Sequence, residues 1–387
     1  MSSPGLSHTS RPSRCRCRHE ALNLMVLSNR LPPAKVVRAI ETARYRIGQL
    51  HRRMLPGPAV MMEMIINGWS AQAITAAADL GIADALAKGP LTLQELAAAI
   101  DADADAVSRL LGALISRGIF RQRRDGRYDL TPLANTLRSD AEVSMAGVAR
   151  LVGLPEHREC WSHLTDAVRT GEAVIPKLHG RPGFELLADE PVIAEIFNRA
   201  MTGLSELAVA SVTAAYDFSR YATIVDVGGG HGRLLASILV ATPQARGILF
   251  DLPEVVAGAP AVLAEHHVAD RVRVVEGSFF DDVPYGGEAY VLKNVIHDWP
   301  DDDPEKILGN VRTAAGTGKH VVLVEFVIPR HGREFVGKWT DLEMLVCAAG
   351  RERTADQYGR LLRRAGFRMT RVVETASPFS IVEAIAI

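Results

Sequence analysis

The chain is 387 residues long, with 48% hydrophobic residues, 23% charged residues and a formal net charge of -1. The length predicts two domains rather than one, and the ordinary composition excludes global disorder. The balanced charge gives no overall attraction to nucleic acid or to a membrane surface. No apolar run is long enough to cross a bilayer, and the four cysteines suggest no disulfide framework. We therefore predict a cytoplasmic protein.

Residues 1–55 are rich in Ser, Pro and Arg and poor in acid, and we predict a basic, flexible tail there. The basic residues lack interleaved aromatics, which disfavours binding to nucleic acid. Helical spacing around residues 34–50 predicts a helix that packs on a partner. Cys15, Cys17 and His19 form only half of a zinc site, because no second pair of ligands follows at the required spacing, so we predict no bound metal.

Residues 56–215 have the Ala- and Leu-rich periodicity of helices, and part of this segment has a winged-helix pattern. Thr92 and the acid three residues later predict a capping box at one helix, and Asp103 opens a second helix. A hairpin follows, in which Asp125 and Gly126 suit a two-residue loop. We therefore predict a mainly helical N-terminal domain with a winged-helix unit.

In residues 216–387 the pattern changes to short β-rich runs that alternate with helical segments. The runs are IVDVGGG, GILFDLP, VRVVEGSFF, AYVLKNVIH, HVVLVEFVIP and SIVEAIAI. Such alternation predicts a mainly parallel sheet with helices on both faces, which is a doubly wound, Rossmann-like α/β domain.

The sequence TIVDVGGGHG at residues 223–232 predicts a buried strand, a glycine loop that includes Gly228 and Gly230, and then a helix. Asp251 ends the next strand about 20 residues later, where an acid accepts hydrogen bonds from ribose hydroxyls. The loop lacks the last glycine of the dinucleotide fingerprint, and Asp226 suits the amino group of a methionyl moiety but would repel phosphate. We therefore favour a site for S-adenosyl-L-methionine over a site for a dinucleotide. The third interpretation is a glycine-rich turn that binds no ligand and only lets the strand pack on the helix.

The motifs of the C-terminal half stand in the order VDVGGGHG, FDLPEVV, EGSFF, LKNVIHDWPDDD, VLVEFVIP, GRERT and RRAGF. Together with FNRAM in the helical half, they resemble the small-molecule O-methyltransferase family, which includes plant caffeic acid and flavonoid enzymes and bacterial hydroxyindole and polyketide-tailoring enzymes. The resemblance covers about residues 60–387. It implies an enzyme that uses S-adenosyl-L-methionine, an N-terminal dimerisation domain and a homodimer.

The resemblance also implies roles for individual residues. It places four residues in the cofactor pocket: Gly228, Gly230, Asp251 and Lys293. It makes His297 the general base.

Two acids, Glu325 and Glu352, bracket the base in this family, and Asp298 lies beside it. A free imidazole has a pKa of about 6.5, well below the pKa of a phenol, which is about 10, so it is a weak base for removing the proton of a phenol. We therefore predict that Glu325 hydrogen-bonds the far nitrogen of the His297 ring, with Glu352 nearby. Glu352 and the adjacent Arg353 are expected to be partly exposed.

The chain departs from plant members of the family at two positions. Ser278 and Phe279 stand where those members have an acid and a methionine near adenine, and Ser278 can hydrogen-bond there only more weakly. Asn294 replaces a tryptophan that packs on the substrate, which disfavours a phenylpropanoid acceptor. Met201 and Met344 could flank an aromatic acceptor, since thioethers pack on ring edges, or could equally fill the core.

The favoured function is methyl transfer to a hydroxyl of a small aromatic or enolic acceptor, from which a positioned base removes the proton. Two alternatives remain open. A winged-helix regulator would only sense S-adenosyl-L-methionine, and would contact phosphate through a basic wing that contains Arg117, Arg121, Arg123, Arg124 and Arg127. A divergent family member would methylate nitrogen or carbon instead of oxygen.

Overall fold

The computed structural model describes residues 31–181, 183, 189–330 and 334–387. Cys15, Cys17 and His19, considered above as half of a metal site, lie outside the described residues. Helix α1 occupies Ala34–Arg53 and buries none of its residues. The helix expected around residues 34–50 is therefore present, inside the segment predicted to be a tail.

The N-terminal part is helical, as its periodicity predicts. After α1 its helices are α2 (Gly57–Asp79), α3 (Ile82–Ala85), α4 (Leu93–Ala99), α5 (Ala104–Ser116), α6 (Pro132–Asn135), α7 (Ala146–Gly153), α8 (Pro155–Ser162), α9 (Leu164–Thr170) and α10 (Ile175–His179), with a 3-10 turn at Leu86–Lys88. Leu96, Leu111 and Phe120 are almost fully buried in a small core of their own. Among the described residues, none of the helices combines the length and the apolar character that crossing a bilayer requires.

The winged-helix unit begins with the two predicted caps. Thr92 and Glu95 form a reciprocal capping box at α4, and the Asp103 side chain accepts a hydrogen bond from Ala106 N at α5. These local bonds satisfy amides that have no partner within the helix.

The hairpin of this unit pairs β1 (Phe120–Gln122) with β2 (Tyr128–Leu130) in antiparallel register. The predicted two-residue loop is wrong, because Arg123 N donates to Arg127 O and continues the ladder, which leaves residues 124–126 as the loop. Gly126 N donates to Arg123 O, and Gly126 has a φ of 83°. A tight turn followed by a left-handed glycine is the usual three-residue hairpin loop.

Helix α11 (Pro191–Ala215) leads into the C-terminal domain. The strands of that domain are β3 (Thr223–Val227), β4 (Arg246–Asp251), β5 (Val272–Glu276), β6 (Ala289–Lys293), β7 (His320–Glu325), β8 (Val327–Ile328), β9 (Arg353–Thr354), β10 (Phe367–Glu374) and β11 (Ser380–Ala386). Its helices are α12 (Arg233–Ala241), α13 (Pro253–Val256), α14 (Ala259–Glu265), α15 (Asp302–Ala315), α16 (Gly337–Cys347) and α17 (Ala355–Arg364), with 3-10 turns at Ala269–Arg271 and Ile296–Asp298.

The main sheet has seven strands in the order β10-β11-β7-β6-β3-β4-β5. β11 is antiparallel to both of its neighbours, and the five strands from β7 to β5 are parallel. Apolar side chains cover both faces. The predicted doubly wound α/β fold is confirmed. The carboxyl ends of the parallel strands meet at one edge, which is where open α/β sheets bind ligands.

Helix α11 connects the two parts of the chain by packing along α7 and also against α12. Gly147 of α7 lies so close to α11 that a Cβ there would be 2.7 Å from Ala200 N and from Arg199 C. A real Cβ does not approach backbone atoms so closely, so the helices can pack in this way only because residue 147 has no side chain.

We expect Gly147→Ala to lower the free energy of unfolding by about 1–3 kcal/mol, because the added methyl group must push α7 and α11 apart. Gly112→Ala in α5 is the matched control, since nothing lies within 4 Å of the added Cβ. This control should raise the stability by about 0.5–1 kcal/mol through its better helix propensity. Urea unfolding followed by circular dichroism measures both effects, and equal stabilities of the two variants would contradict the close packing.

Candidate active site

A glycine loop follows the central strand at the carboxyl edge of the sheet. β3 ends at Val227 and α12 begins at Arg233. Gly228 and Gly230 have φ angles of 65° and 61°, in the left-handed region that side chains disfavour. A Cβ on Gly228 would also lie 2.8 Å from Val295 Cγ2. Gly228 therefore has no room for a side chain. At Gly230 nothing lies within 4 Å of an added Cβ, so the backbone is open there to the close approach of a ligand.

Asp251, at the end of β4, holds the glycine loop in place. Its Oδ2 accepts a hydrogen bond from Gly230 N at 2.7 Å, and its Oδ1 accepts one from Leu252 N at 2.8 Å. Burial raises the pKa of Asp251, and these two backbone bonds oppose that rise. Because a carboxylate has about four acceptor positions, the side chain keeps capacity for further donors such as hydroxyls.

Asp226, near the end of β3, is a buried acid with an unused oxygen. Its side chain is 2% exposed and its Oδ2 has no hydrogen-bond partner. Burial raises its pKa to about 7, and the nearby Lys293 ammonium opposes that rise. Burial in turn lowers the pKa of Lys293, which the Asp226 carboxylate opposes. An orphaned carboxylate oxygen beside a glycine loop fits the ammonium group of a methionyl ligand.

The segment after β5 lies next to the glycine loop. The Ser278 hydroxyl accepts a hydrogen bond from Phe280 N at 3.2 Å, so it caps its own turn. A Cβ on Gly228 would be 3.4 Å from Phe279 Cε1. The Phe279 ring therefore packs beside the glycine loop. The Phe280 ring packs on Trp299, with ring centroids 4.7 Å apart.

His297 lies in the 3-10 turn after β6, at the same edge of the sheet, and is 8% exposed. Its Nδ1 is 2.9 Å from Glu352 Oε1. Its Nε2 is 3.3 Å from Asp298 Oδ1, so Asp298 lies beside the base as expected. An acceptor hydroxyl that reached Nε2 would therefore also meet Asp298.

The prediction that Glu325 hydrogen-bonds the His297 ring is wrong, because Glu352 makes that bond. Glu325 Oε1 instead accepts hydrogen bonds from Val295 N at 3.3 Å and Ile296 N at 3.0 Å. Its Oε2 is buried without a partner. Glu325 thus positions the backbone that carries the base, whereas Glu352 orients the ring.

Glu352 is itself held by helix α16. Thr340 Oγ1 donates to Glu352 Oε1 at 3.0 Å, and Asp341 Oδ1 accepts from Glu352 N at 2.8 Å. Sequence reasoning did not find Thr340 or Asp341, which have no motif of their own. The signal that could have found them is their place in the helix directly before the GRERT motif.

Glu352 and Arg353 are not partly exposed as predicted; they are 3% and 2% exposed. Arg353 Nη1 donates to Ile296 O at 2.9 Å, and its Nη2 donates to Asp301 Oδ1 at 2.9 Å. These bonds compensate for burial of the guanidinium and fix the turn that contains His297. Gly350 packs against the same turn, since a Cβ there would be 2.0 Å from His297 O.

The surrounding charges favour a protonated His297. Burial opposes a charged ring, but Asp298, Glu325 and Glu352 together outweigh it and raise the pKa of His297 to about 10. Burial raises the pKa of Glu325 to about 7, and the charge of His297 opposes that rise.

Ligand atoms of His297, Glu325 and Glu352 lie within 4.8 Å of one another, a spacing that a metal ion could use. However, both ring nitrogens of His297 already face carboxylates, Nδ1 that of Glu352 and Nε2 that of Asp298, so the arrangement fits proton transfer better.

The three predicted acceptor residues lie on different elements of the chain. Asn294, just after β6, has a φ of 53° and a buried Oδ1 without a hydrogen-bond partner. Met344 follows Thr340 by four residues on α16, so both side chains share one face of that helix. Met201 lies on α11, and its place at the acceptor stays a prediction.

The basic wing considered above as a phosphate contact is partly neutralised. Arg121 Nη2 is 2.5 Å from Asp129 Oδ2 across the hairpin. Arg127 Nη1 donates to Pro90 O at 3.2 Å. Arg121 therefore pairs within the hairpin, and Arg127 ties the hairpin to the segment before α4.

Comparison with known proteins identifies relatives. Residues 161–368 match the family model of an O-methyltransferase domain, and residues 62–140 match that of an O-methyltransferase dimerisation domain. A phenazine O-methyltransferase from Lysobacter antibioticus is 41% identical over 330 residues, which are 85% of this chain and 96% of that protein.

Two further relatives extend the range of acceptors. An 8-amino-8-demethylriboflavin N,N-dimethyltransferase from Streptomyces davaonensis is 34% identical, over 80% of this chain and 89% of that protein. The crystal structure of an O-methyltransferase from neocarzinostatin biosynthesis, in complex with S-adenosylmethionine and 2-hydroxy-5-methyl naphthoic acid, has a TM-score of 0.70 and 33% identity. That match covers 82% of this chain and 96% of the other.

We expect Glu352→Gln to lower the pKa of His297 by about one pH unit or more, because a neutral amide stabilises the imidazolium less than a carboxylate does. NMR titration of the histidine ring signals measures this, and His297→Asn assigns the signal. Glu343→Gln is the matched control, since Glu343 pairs with His157 instead. A His297 signal that titrates identically in the natural protein and in Glu352→Gln would contradict the assignment.

Proposed function

The chain belongs to the S-adenosylmethionine-dependent O-methyltransferase family, and we propose that it methylates a hydroxyl of a fused-ring aromatic small molecule with His297 as the general base. One observation carries the proposal: the buried His297 ring, oriented by Glu352, lies at the same sheet edge as the glycine loop. A base and a nucleoside pocket side by side are what methyl transfer to a hydroxyl requires.

The residues at the glycine loop suit the family's cofactor. Bound S-adenosylmethionine supplies a methyl group on a sulfonium, which is already an activated electrophile. The unused Asp226 oxygen would accept from its ammonium group, Asp251 would accept from its ribose hydroxyls, and Phe279, with Ser278 beside it, would face its adenine. Lys293 favours the anionic form of Asp226. Alignment of two reactants in this way can supply roughly 7–11 kcal/mol.

The acids around His297 adapt it to a phenol. A proton moves readily between groups of similar pKa, and the carboxylates bring the pKa of His297 to about 10, near that of a phenol. The positive charge of a sulfonium in the neighbouring pocket would repel a positively charged His297 ring and lower its pKa. It would thus favour the neutral ring, which can accept a proton. Nε2 takes the proton, while Glu352 stabilises the ring through Nδ1 and Asp298 stabilises it from the other side.

The choice of acceptor class rests on the relatives and on Asn294. A phenazine enzyme and a structure bound to a naphthoic acid both point to flat, fused-ring aromatics. The buried, unpartnered Asn294 Oδ1 can accept a hydrogen bond from a polar group of such a ring. Met344 and Met201 supply adaptable apolar contacts for its faces and edges.

A homodimer is part of the proposal. The matched dimerisation domain begins at residue 62, within α2. Ile65 is 64% exposed and Trp69 is 72% exposed on that helix. Large apolar side chains exposed together indicate a surface that another chain covers.

N-methylation is the second candidate, because the riboflavin-derivative relative is an N,N-dimethyltransferase. A neutral aromatic amine is already nucleophilic before it loses a proton, so its methylation would depend much less on His297. The two candidates therefore differ in how much activity survives without the base.

We expect Asp226→Asn to weaken binding of S-adenosylhomocysteine at least about tenfold, which corresponds to about 1.4 kcal/mol. The same change should raise the melting temperature of the empty protein, because the neutral amide replaces a buried carboxylate whose Oδ2 has no hydrogen-bond partner. Isothermal titration and thermal unfolding give the two values. NADH is the control ligand and should not bind. Undiminished affinity would remove Asp226 from the pocket.

We expect His297→Gln to reduce methylation of a hydroxyphenazine by about 10²–10⁴-fold while S-adenosylhomocysteine still binds, because only the base is lost. Mass spectrometry of the product, with hydroxy- and aminophenazine compared, measures the transfer. His163→Gln, at a partly exposed histidine, is the control and should keep full activity. If His297→Gln keeps most of its activity on the phenol, His297 is not the base; if only the amine reacts, the chain methylates nitrogen.

A further inference from the structure

Helix α1 has an apolar face that is turned to solvent. We call this face the apolar stripe. Its residues are spaced three and four apart, which aligns them on one side of a helix. The stripe consists of Val36, Ile40, Ala43, Ile47, Leu50 and, just after the last helical residue, Met54. All six are exposed, and for Ile47, Leu50 and Met54 the exposed fractions are 67%, 64% and 73%.

The opposite side of α1 is polar, and this is the side that contacts the rest of the chain. Arg38 and Arg52 lie on it and are only partly exposed. Arg38 forms an ion pair with Glu374 at the end of β10. A helix that docked on its own domain through hydrophobic contact would turn its apolar side inward. The stripe is therefore left to another surface.

Basic side chains border the stripe on both of its sides. Arg46 and Arg53 each directly precede a stripe residue, whereas Arg44 and His51 each directly follow one. Neighbours in sequence are rotated by about 100° around a helix, so the two pairs lie on opposite sides of the stripe. All four side chains are exposed. The helix contains a single acid, Glu41.

The charge of α1 belongs to a basic N-terminal segment. Residues 1–55 contain 11 Lys and Arg side chains and only two Asp and Glu side chains. The whole chain has a formal net charge of -1, so the residues after 55 are acidic as a group. Such asymmetry is typical of a chain in which one end binds an anionic partner.

Charge and composition together favour a lipid surface as the partner of the stripe. Two α1 helices paired along their stripes would bring basic side chains of both copies together, whichever direction the pairing took. The family model of the dimerisation domain begins at residue 62, beyond α1. A nucleic acid would attract the arginines but would leave the stripe in water. A boundary of acyl chains and anionic headgroups suits both the stripe and the arginines beside it.

We propose that α1 binds the surface of a bilayer that contains anionic lipids, with its axis parallel to the membrane plane. The stripe enters the boundary between headgroups and acyl chains, and the arginines beside it extend to the lipid phosphates. The interaction is confined to the surface, since none of the described helices is long and apolar enough to cross a bilayer. It does not depend on the proposed methyl transfer.

The test measures how much of the full-length chain sediments with lipid vesicles. Vesicles of phosphatidylcholine and phosphatidylglycerol in equal parts should bind the chain about tenfold or more tightly than vesicles of phosphatidylcholine alone, because each basic side chain near an anionic surface adds to the attraction. Added salt should weaken this binding, because it screens the charges. No binding to the anionic vesicles would overturn the proposal.

A second arm separates the stripe from the basic charge. Ile47→Gln/Leu50→Gln removes two apolar side chains without changing the charge, and should weaken binding to the anionic vesicles about tenfold or more. Val168→Gln/Val240→Gln, at two exposed valines outside α1, is the matched control and should bind like the natural protein. Circular dichroism checks that both variants fold. Undiminished binding by Ile47→Gln/Leu50→Gln would mean that charge alone holds the chain, and the proposal would be wrong.

A third arm tests whether a second copy covers the stripe instead. Without lipid, Ile47→Gln/Leu50→Gln should sediment in analytical ultracentrifugation as the natural protein does, because the stripe lies outside the contact between copies. A shift of the variant to a smaller species would place the stripe in that contact and contradict the proposal.

Discussion

The hydrogen bond between His297 and Glu352 joins side chains that are 55 residues apart in the chain. Both are buried, so removing either one would leave a polar group without its partner in an apolar setting. Glu325 at the end of β7 fixes the backbone of the base, and α16 fixes Glu352. One shared proton thus fixes the relative positions of four elements: the ends of β6 and β7, helix α16 and the turn before β9.

Local patterns predicted most of the fold, because alternation of apolar residues, caps and glycine spacing act over a few residues. The resemblance to the O-methyltransferase family placed Glu325 and Glu352 on either side of the base, but it did not decide which one reaches the ring. That choice depends on side-chain direction across the sheet, which spacing does not contain. Arg353 appeared partly exposed for a similar reason, since its burial depends on Asp301 and on a carbonyl from another loop. An Asp-Gly pair occurs in hairpin loops of either length, so it did not fix the turn.

Helix α16 contacts two regions with different tasks. Thr340 and Asp341 hold the acid that orients the base, and Glu343 meets His157 on α8. A shift of α8 would therefore reach the base through one rigid helix and a few direct contacts. Side chains of the helical part can in this way alter the alignment of an acceptor without any change in the sheet that carries the cofactor pocket.

The unused oxygen of Asp226 also has a consequence for the life of the protein in the cell. A buried carboxylate with one oxygen that lacks a donor weakens the empty fold, and a cationic ligand that satisfies this oxygen stabilises the folded state by mass action. Proteases act on the small fraction of molecules that are open at any time. The rate of degradation should therefore follow the supply of methyl donor, so that a starved cell keeps fewer copies of an enzyme that it cannot use.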